Sequence, residues 1–217
     1  MKKLFFIILS LTSVQIFGQH DSSFFFNEFS ISANRTNLEG DDIENRIGFG
    51  IGAYHNFMSE RKVNIIFGFE YNRTSYFNKY LYYGHFSDLK DITYHINSLS
   101  IPTTARLIIG HKIKYFIDAG VFIDLHIISK MKGTMHELQP YPYPHPPVST
   151  TYEFKDRMNV DPLNVGPSFG IGLQLPVNKF KVNIKADYKH GIIEVLDGTY
   201  GYKILNRYFR VIIGLKI

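Results

Sequence analysis

Eight segments of this chain alternate apolar and polar residues over about ten positions each, and few folds accommodate that pattern. The segments cover residues 25–34, 46–57, 62–72, 93–109, 113–128, 165–175, 180–189 and 207–217. Strict alternation indicates a strand with one apolar and one polar face. A strand that crosses a membrane needs about 9–11 residues, but a water-soluble sandwich shows the same alternation with its polar face outward. Periodicity alone therefore leaves both architectures open.

The connections between the segments alternate in length. Three are short and cover residues 58–62, 110–112 and 176–179, whereas the others cover 35–45, 73–92, 129–164 and 190–206. Short periplasmic turns and long external loops are typical of outer-membrane barrels, and an N-terminus in the periplasm makes the first connection external. The sequence therefore predicts an all-β fold, an eight-stranded antiparallel transmembrane β-barrel built as an up-and-down meander.

Glycine occurs on only one face of these segments. In the stretch FGIGAYHNF at 49–57, Gly50 and Gly52 alternate with apolar residues, and the strand glycines that share this polar parity are Gly48, Gly50, Gly52, Gly68, Gly120, Gly166, Gly170, Gly172 and Gly214. The interior of an eight-stranded barrel is barely wide enough for side chains. We expect the glycines to make space in that interior. Bulges in a twisted soluble sheet are the alternative explanation.

The same parity carries charges of both signs. It holds Glu28, Glu70, Asp118, Asp124 and Asp187 together with Arg46, Arg106, Lys114, Lys181, Lys185, Lys189, Arg210 and Lys216. An unpaired buried charge costs several kcal/mol, so we expect these groups to pair in the lumen. The ion-pair candidates are Glu28, Glu70, Arg106, Asp118, Asp124, Lys181, Lys185, Asp187 and Arg210. A selective conduit or proton path is the alternative, and the excess of basic groups would favour anions.

The N-terminus has the features of a secretory signal peptide. MKK precedes the short apolar run LFFIILSL, and small residues follow it. We predict a signal peptide over residues 1–18 that is cleaved, and an outer-membrane β-barrel domain over 19–217. The mature chain would keep a mild positive charge that does not suggest nucleic-acid binding. Cysteine is absent, which excludes disulfides, thiolate metal sites and a lipoprotein anchor.

No catalytic, cofactor-binding or metal site is predicted. His136, Glu137 and His145 fall in the third predicted loop, where nothing fixes the geometry of a metal site. His85 and Ser87 form a His-x-Ser pair that faintly resembles the lipid-A deacylase arrangement, but they lie in a predicted loop. We therefore expect a protein that is not an enzyme.

Two predicted loops have unusual compositions. The second, over 73–92, is rich in tyrosine and phenylalanine, which suits an outer aromatic girdle or an extension of the barrel above the membrane. The third contains QPYPYPHPPV at 139–148, whose five prolines favour a stiff polyproline-type segment. That segment is predicted either as a docking surface or as a rigid, protease-resistant loop.

Two sequence stretches resemble a known family. SLSIPTTARLIIG at 98–110 and the aromatic NRYFRVIIGLKI at the C-terminus resemble those of the small outer-membrane β-barrel, porin-like family of Bacteroidota-type bacteria, of OmpA/OmpX type. In that family a leucine–isoleucine–proline segment recurs on the fourth strand, matched here by Leu99, Ile101 and Pro102. The final strand is similar to a barrel-assembly signal. The resemblance implies the fold and the cell outer membrane, not one activity.

Three functions remain open from the sequence. The first is a non-enzymatic barrel with an envelope-structural role or a surface-interaction role through its extracellular loops. The second is a narrow porin-like channel for small solutes, and the third is the barrel component of a protein secretion machine. The expected partners are outer-membrane lipid and lipopolysaccharide, the barrel-assembly machinery during insertion and an extracellular ligand at the loops. No cofactor and no nucleic acid are expected, and the barrel is predicted to be a monomer.

Overall fold

The structure, a computed structural model, describes residues 25–36, 43–58, 61–82, 86–139, 148–196 and 204–217. The predicted signal peptide and most of the proline-rich segment, including His145, lie outside the described residues, as does His85. In the described part, no helix is long and apolar enough to span a membrane.

In the described residues, nine strands make up one antiparallel sheet. They are β1 (Glu28–Thr36), β2 (Ile43–Asn56), β3 (Val63–Tyr82), β4 (Ser87–Ile109), β5 (Lys114–Gln139), β6 (Val148–Arg157), β7 (Leu163–Val177), β8 (Phe180–Leu196) and β9 (Ile204–Lys216). β1 pairs with both β2 and β9, and β5 pairs with β4, β6 and β7. Eight strands therefore close into a ring, while β6 pairs with the upper half of β5 outside the ring. The prediction of an eight-stranded antiparallel meander is confirmed.

The turns at one end of the barrel are short, as predicted. β4 and β5 are joined by residues 110–113, and β7 and β8 by the two residues 178 and 179. Gly110 and Asn178 adopt positive φ angles of 110° and 54°, a backbone conformation that glycine and asparagine tolerate best. Glu28 pairs with Lys216, so the chain enters and leaves the barrel at this same, periplasmic end.

At the other end, two predicted loops are largely strands. β3 and β4 run through most of the aromatic second loop, and the predicted third loop is mainly the upper part of β5 together with β6. β5 has 26 residues, a length of about 85 Å at about 3.3 Å per residue, whereas about 9–11 residues suffice to cross a bilayer. A sheet of β3, β4, β5 and β6 therefore projects beyond the membrane.

The polarity of the strands reverses where this projection begins. In the lower part of β4, inward Ser98 and Ser100 are buried and polar, whereas higher up the inward residues are Ile92, Tyr94 and Ile96. These apolar side chains form a core with neighbours from β3, β4, β5, β6 and the connection after β6, namely Tyr76, Leu81, Leu89, Met131, Met135, Phe154, Met158 and Val160. The outward face turns polar at the same height, because the barrel wall there meets water instead of hydrocarbon.

The outward face below this level is an apolar surface open to the surroundings. Its exposed residues include Phe29, Ile31, Phe49, Ile51, Val63, Ile65, Leu107, Tyr115, Ile117, Val121, Ile123, Phe169, Ile171, Ile184, Val211 and Ile213. Soluble proteins rarely expose a continuous apolar area of this extent. We call this surface the apolar band, and its apolar-out, polar-in alternation is the pattern of a transmembrane barrel.

The prediction that Arg46 faces the lumen is wrong. A β-bulge between Arg46 and Phe49 shifts the register of β2 against β3, and a bulge of this kind changes the face on which the preceding residues lie. The Arg46 guanidinium lies 4.3 Å from the centre of the Phe77 ring and donates to Thr93 Oγ1 at 3.5 Å. Arg46 therefore belongs to the outer wall above the apolar band.

Candidate functional site: an ion-paired lumen

Arg210 holds two carboxylates together inside the barrel. Its Nε and Nη2 atoms each donate to one oxygen of Asp187 at 2.7 Å, and its Nη1 donates to Glu70 Oε2 at 2.7 Å. All three side chains are buried. Asp187 lies directly opposite Arg210 in the β8–β9 register, so strand pairing alone brings the guanidinium and the carboxylate into the two-pronged geometry that makes such pairs strong.

A second arginine makes the same kind of pair lower in the lumen. Arg106 and Asp118 are opposite each other in the β4–β5 register, and Arg106 Nε and Nη2 donate to the two Asp118 oxygens at 2.8 and 2.9 Å. Arg106 Nη1 is also 3.7 Å from Glu28 Oε2. The guanidinium lies 3.9 Å from the centre of the Phe116 ring, which adds a cation–π contact.

Lys185 joins the two arginine clusters into one network. Its Nζ is 3.3 Å from Asp118 Oδ2 and 3.2 Å from Asp187 Oδ2. The interactions therefore run without interruption from Glu28 near the periplasmic end to the Arg210 cluster. Compensation of this kind is what a charged group needs in a low-dielectric interior.

Lys189 completes the network at its upper end. Its side chain is fully buried, and its Nζ donates to Glu70 Oε2 at 2.7 Å and to Ser100 Oγ at 2.6 Å. Asp124 Oδ1 lies 3.9 Å from the same Nζ, and Asp124 Oδ2 accepts a hydrogen bond from the Tyr208 hydroxyl at 3.1 Å. Lys189 has the inward parity in the sequence, yet it was not among the ion-pair candidates, because parity does not reveal which lysine is deepest.

The network is close to neutral, although the inward parity as a whole is basic. Among the described residues, the ion pairs given above join five carboxylates to four cations, namely Glu28, Glu70, Asp118, Asp124 and Asp187 with Arg106, Lys185, Lys189 and Arg210. The predicted candidate Lys181 lies next to the β7–β8 turn, opposite Lys216 in the register, so this lysine is at the periplasmic mouth.

Interior glycines leave room for two large rings. The Tyr54 hydroxyl donates to Glu70 Oε1 at 2.8 Å, and its ring occupies the space that side chains at Gly52 and Gly68 would need. The Phe116 ring covers Gly172 in the same way. At Gly52, Gly68 and Gly172 the lumen side therefore lacks a side chain because a ring fills that space, whereas Gly48 lies in the β-bulge between Arg46 and Phe49.

The packed side chains leave little free space. The cavity among Glu70, Arg106, Lys185 and Arg210 measures about 20 Å³, which is room for about one water molecule. A cavity of this size is too small to hold a hydrated ion.

Among known proteins, only solved structures are similar to this chain. No protein-family model and no curated protein sequence matches this chain. The attachment invasion locus protein Ail of Yersinia pestis is 14% identical, with 88% of this chain and 97% of Ail covered and a TM-score of 0.37. Neisserial surface protein A is 13% identical over 88% of this chain and 94% of its own, with a TM-score of 0.46.

A third solved structure shows the same level of similarity. The N-terminal β-barrel domain of Pseudomonas aeruginosa OprF is 10% identical over 88% of this chain and 98% of its own, with a TM-score of 0.36. Such distant similarity transfers neither ligands nor residue roles. None of these organisms supports the Bacteroidota origin that the sequence resemblance implies.

The geometry itself identifies the environment of the barrel. In the described part of the chain, each strand of the ring pairs with a neighbour on both sides, the outer wall carries the apolar band, and the ion-paired network is buried inside. Only closed barrels and helices satisfy the backbone in hydrocarbon, and antiparallel barrels with short periplasmic turns are the outer-membrane type. The chain is an integral outer-membrane β-barrel.

Proposed function

We propose that this protein is a non-conducting, non-enzymatic barrel of the cell outer membrane, which acts through the sheet that it raises above the membrane. The single observation that supports this proposal is the filled lumen. Nine charged side chains interlock there around a cavity of about 20 Å³. A narrow solute channel, the alternative from the sequence, would need a continuous water-filled path.

The projecting sheet is the part available for interaction. β6 is exposed along nearly its whole length, whereas the opposite side of the sheet packs on the core around Ile92 and Tyr94. A sheet with its own hydrophobic core holds a rigid shape outside the membrane, as a surface-interaction or envelope-structural role requires. Partners that remain proposals are outer-membrane lipid and lipopolysaccharide, the barrel-assembly machinery, and an extracellular ligand.

Other features of the chain stay predictions. They are the cleaved signal peptide at residues 1–18, the monomeric state and an origin in Bacteroidota-type bacteria. Mass spectrometry of the mature N-terminus and light scattering of the detergent-solubilised protein test the first two.

A planar-bilayer recording tests the proposed function. Protein that has first been shown to fold, by its heat-modifiable migration on gels, is added to the bilayer at neutral pH. We expect no reproducible conductance steps from the wild-type chain. Stable unit steps that persist across preparations would support the channel alternative and contradict a sealed barrel.

A further inference from the structure

A cleft of about 430 Å³ opens on the outer wall just above the apolar band. It lies where β3, β4, β5 and β6 run side by side, and its polar lining residues include Arg73, His95, Asn97, Lys130, Lys132 and Lys155. These residues come from four strands, and the register places Lys130 opposite His95 and Lys132 opposite Lys155. The cleft is therefore built on paired strands rather than on a loop.

The lining of the cleft carries a net positive charge. Arg73, Lys130, Lys132 and Lys155 line it, and no carboxylate is among the described residues that line it. In the described part of the chain, none of these four cations forms an ion pair within 4.0 Å. This arrangement differs from the lumen, where Arg106, Lys185, Lys189 and Arg210 each face a carboxylate. Clustered cations without counter-charges are the arrangement that binds phosphate.

His95 on the wall of the cleft responds to that positive charge. Its Nδ1 is 2.8 Å from the Ser75 hydroxyl oxygen. Partial burial, together with the charges of Arg73, Lys132 and Arg46, lowers the pKa of His95 to about 4. At neutral pH the imidazole is therefore uncharged, and the remaining positive charge belongs to the four cations.

The lower edge of the cleft is continuous with the surface that faces lipid. Tyr71, Ile127 and Ile128 line that edge, and the two isoleucines are exposed. The Tyr71 ring is 6.2 Å from the ring of Phe49, which belongs to the apolar band. An amphiphile in the outer leaflet would thus meet apolar side chains along its acyl region and cations at the height of its headgroup.

We propose that this cleft binds a phosphate-bearing headgroup of the glycolipid in the outer leaflet around the barrel. The inference rests on the proposed outer-membrane location, and it assigns one site and one ligand chemistry to the lipid partner. The four cations neutralise phosphate monoesters, and the planar Arg73 guanidinium offers two parallel donors to phosphate oxygens. The acyl chains would remain against the apolar band, so the protein holds the lipid at its circumference rather than inside.

The test compares two triple variants of the folded, detergent-solubilised protein. K130Q/K132Q/K155Q removes three cations of the cleft, and K79Q/K112Q/K179Q removes three exposed lysines elsewhere. Native mass spectrometry in mixed micelles measures binding of bisphosphorylated lipid A, of its monophosphorylated form and of inorganic phosphate. Each cation near an anionic surface contributes about fivefold in affinity, so we expect the cleft variant to bind lipid A about 100-fold more weakly than wild type.

Several results would overturn the proposal. An equal loss of lipid A binding in both variants would mean that lipid A is attracted by the overall positive charge of the protein. Unchanged lipid A binding in the cleft variant would exclude this site. If inorganic phosphate binds wild-type protein as tightly as lipid A does, the ligand is a soluble phosphate. Heat-modifiable migration of every variant on gels distinguishes a failure of the proposed barrel from a failure of the proposed lipid site. Failure of the wild-type protein to fold in detergent contradicts the proposed barrel, whereas a folded wild-type protein that does not bind lipid A contradicts only the proposed lipid site at the cleft.

Discussion

Replacing Arg210 with methionine removes the guanidinium that joins Glu70 to Asp187 inside the barrel. Three hydrogen bonds at 2.7 Å are lost, all of them buried and all to charged acceptors. Removing one partner of a buried ion pair costs about 3–5 kcal/mol, because the remaining charge stays buried without compensation. The cost here depends on the other contacts of the two carboxylates.

Because both carboxylates keep other partners, we expect a destabilisation near the lower end of the range of about 3–5 kcal/mol. Glu70 keeps the Lys189 ammonium at 2.7 Å and the Tyr54 hydroxyl at 2.8 Å, and Asp187 keeps Lys185 at 3.2 Å. We therefore expect Arg210→Met to lower the free energy of unfolding by about 3 kcal/mol. Guanidinium titration in detergent micelles measures it, with the fast-migrating gel band reporting the folded barrel.

Two further variants make the test specific. Lys181→Met removes a cation of the same strand parity at the periplasmic mouth, and we expect a loss below about 1 kcal/mol. Arg210→Met combined with Asp187→Asn should cost less than the sum of the single changes, since residues in one network couple by about 0.5–3 kcal/mol. If Arg210→Met unfolds at the same guanidinium concentration as Lys181→Met, the Arg210 ion pairs do not stabilise the barrel.

Three more changes test other parts of the molecule. Gly172→Ala should destabilise the barrel by about 1–3 kcal/mol in the same titration, because its methyl group would lie 2.5 Å from a backbone oxygen of β8 and overlap the Phe116 ring. Tyr94→Ala removes the ring stacked 4.6 Å from Tyr76, so limited proteolysis should cut the projecting sheet sooner while the membrane part stays protected. The pKa of His95 is lowered to about 4 in the folded protein, so the imidazole of the unfolded chain binds a proton at a higher pH than that of the folded chain. The free energy of unfolding of the wild type should therefore fall between about pH 6.5 and 4. His95→Asn should reduce that fall.

Each of these predictions has a matched comparison. Gly214 also faces the lumen, but an added methyl group there would meet its nearest atom, a Glu28 side-chain oxygen, at 3.0 Å, so Gly214→Ala should be milder; equal losses would contradict the packing argument. Tyr152 is an exposed tyrosine of β6, and Tyr152→Ala should leave proteolysis unchanged. For His95, an identical pH dependence in wild type and in His95→Asn would show that other groups cause the acid sensitivity.

The parity of glycine and charge was sufficient to predict which side of each membrane strand faces the lumen. Gly68 and Gly172 are covered by rings, and Arg106 and Asp118 meet across two neighbouring strands. Parity predicts whether a side chain faces the lumen, but it does not predict how deep in the lumen that side chain lies. Lys181 and Lys189 share a parity on β8, yet one is at the periplasmic mouth and the other is fully buried beside Glu70.

The sequence was least informative above the membrane. There the inward residues Ile92, Tyr94 and Ile96 are apolar and the outward residues His95 and Asn97 are not, which is the reverse of the pattern lower on the same strand. If the whole chain is expected to alternate with apolar residues outward and polar residues inward, this reversal resembles the end of a strand. Most of the second and third predicted loops consists of strands whose outer face meets water instead of lipid.

The sequence by itself determined the meander of eight long strands and the face that each presents to the lumen, because a two-residue side-chain period is a local property of the chain. Only the tertiary structure decided which charges pair, since Arg210 meets Glu70 from a strand 140 residues away. It also decided where the cations of the cleft gather. Closure of the ring and strand stagger set those distances, and neither is encoded in the spacing of residues along one strand.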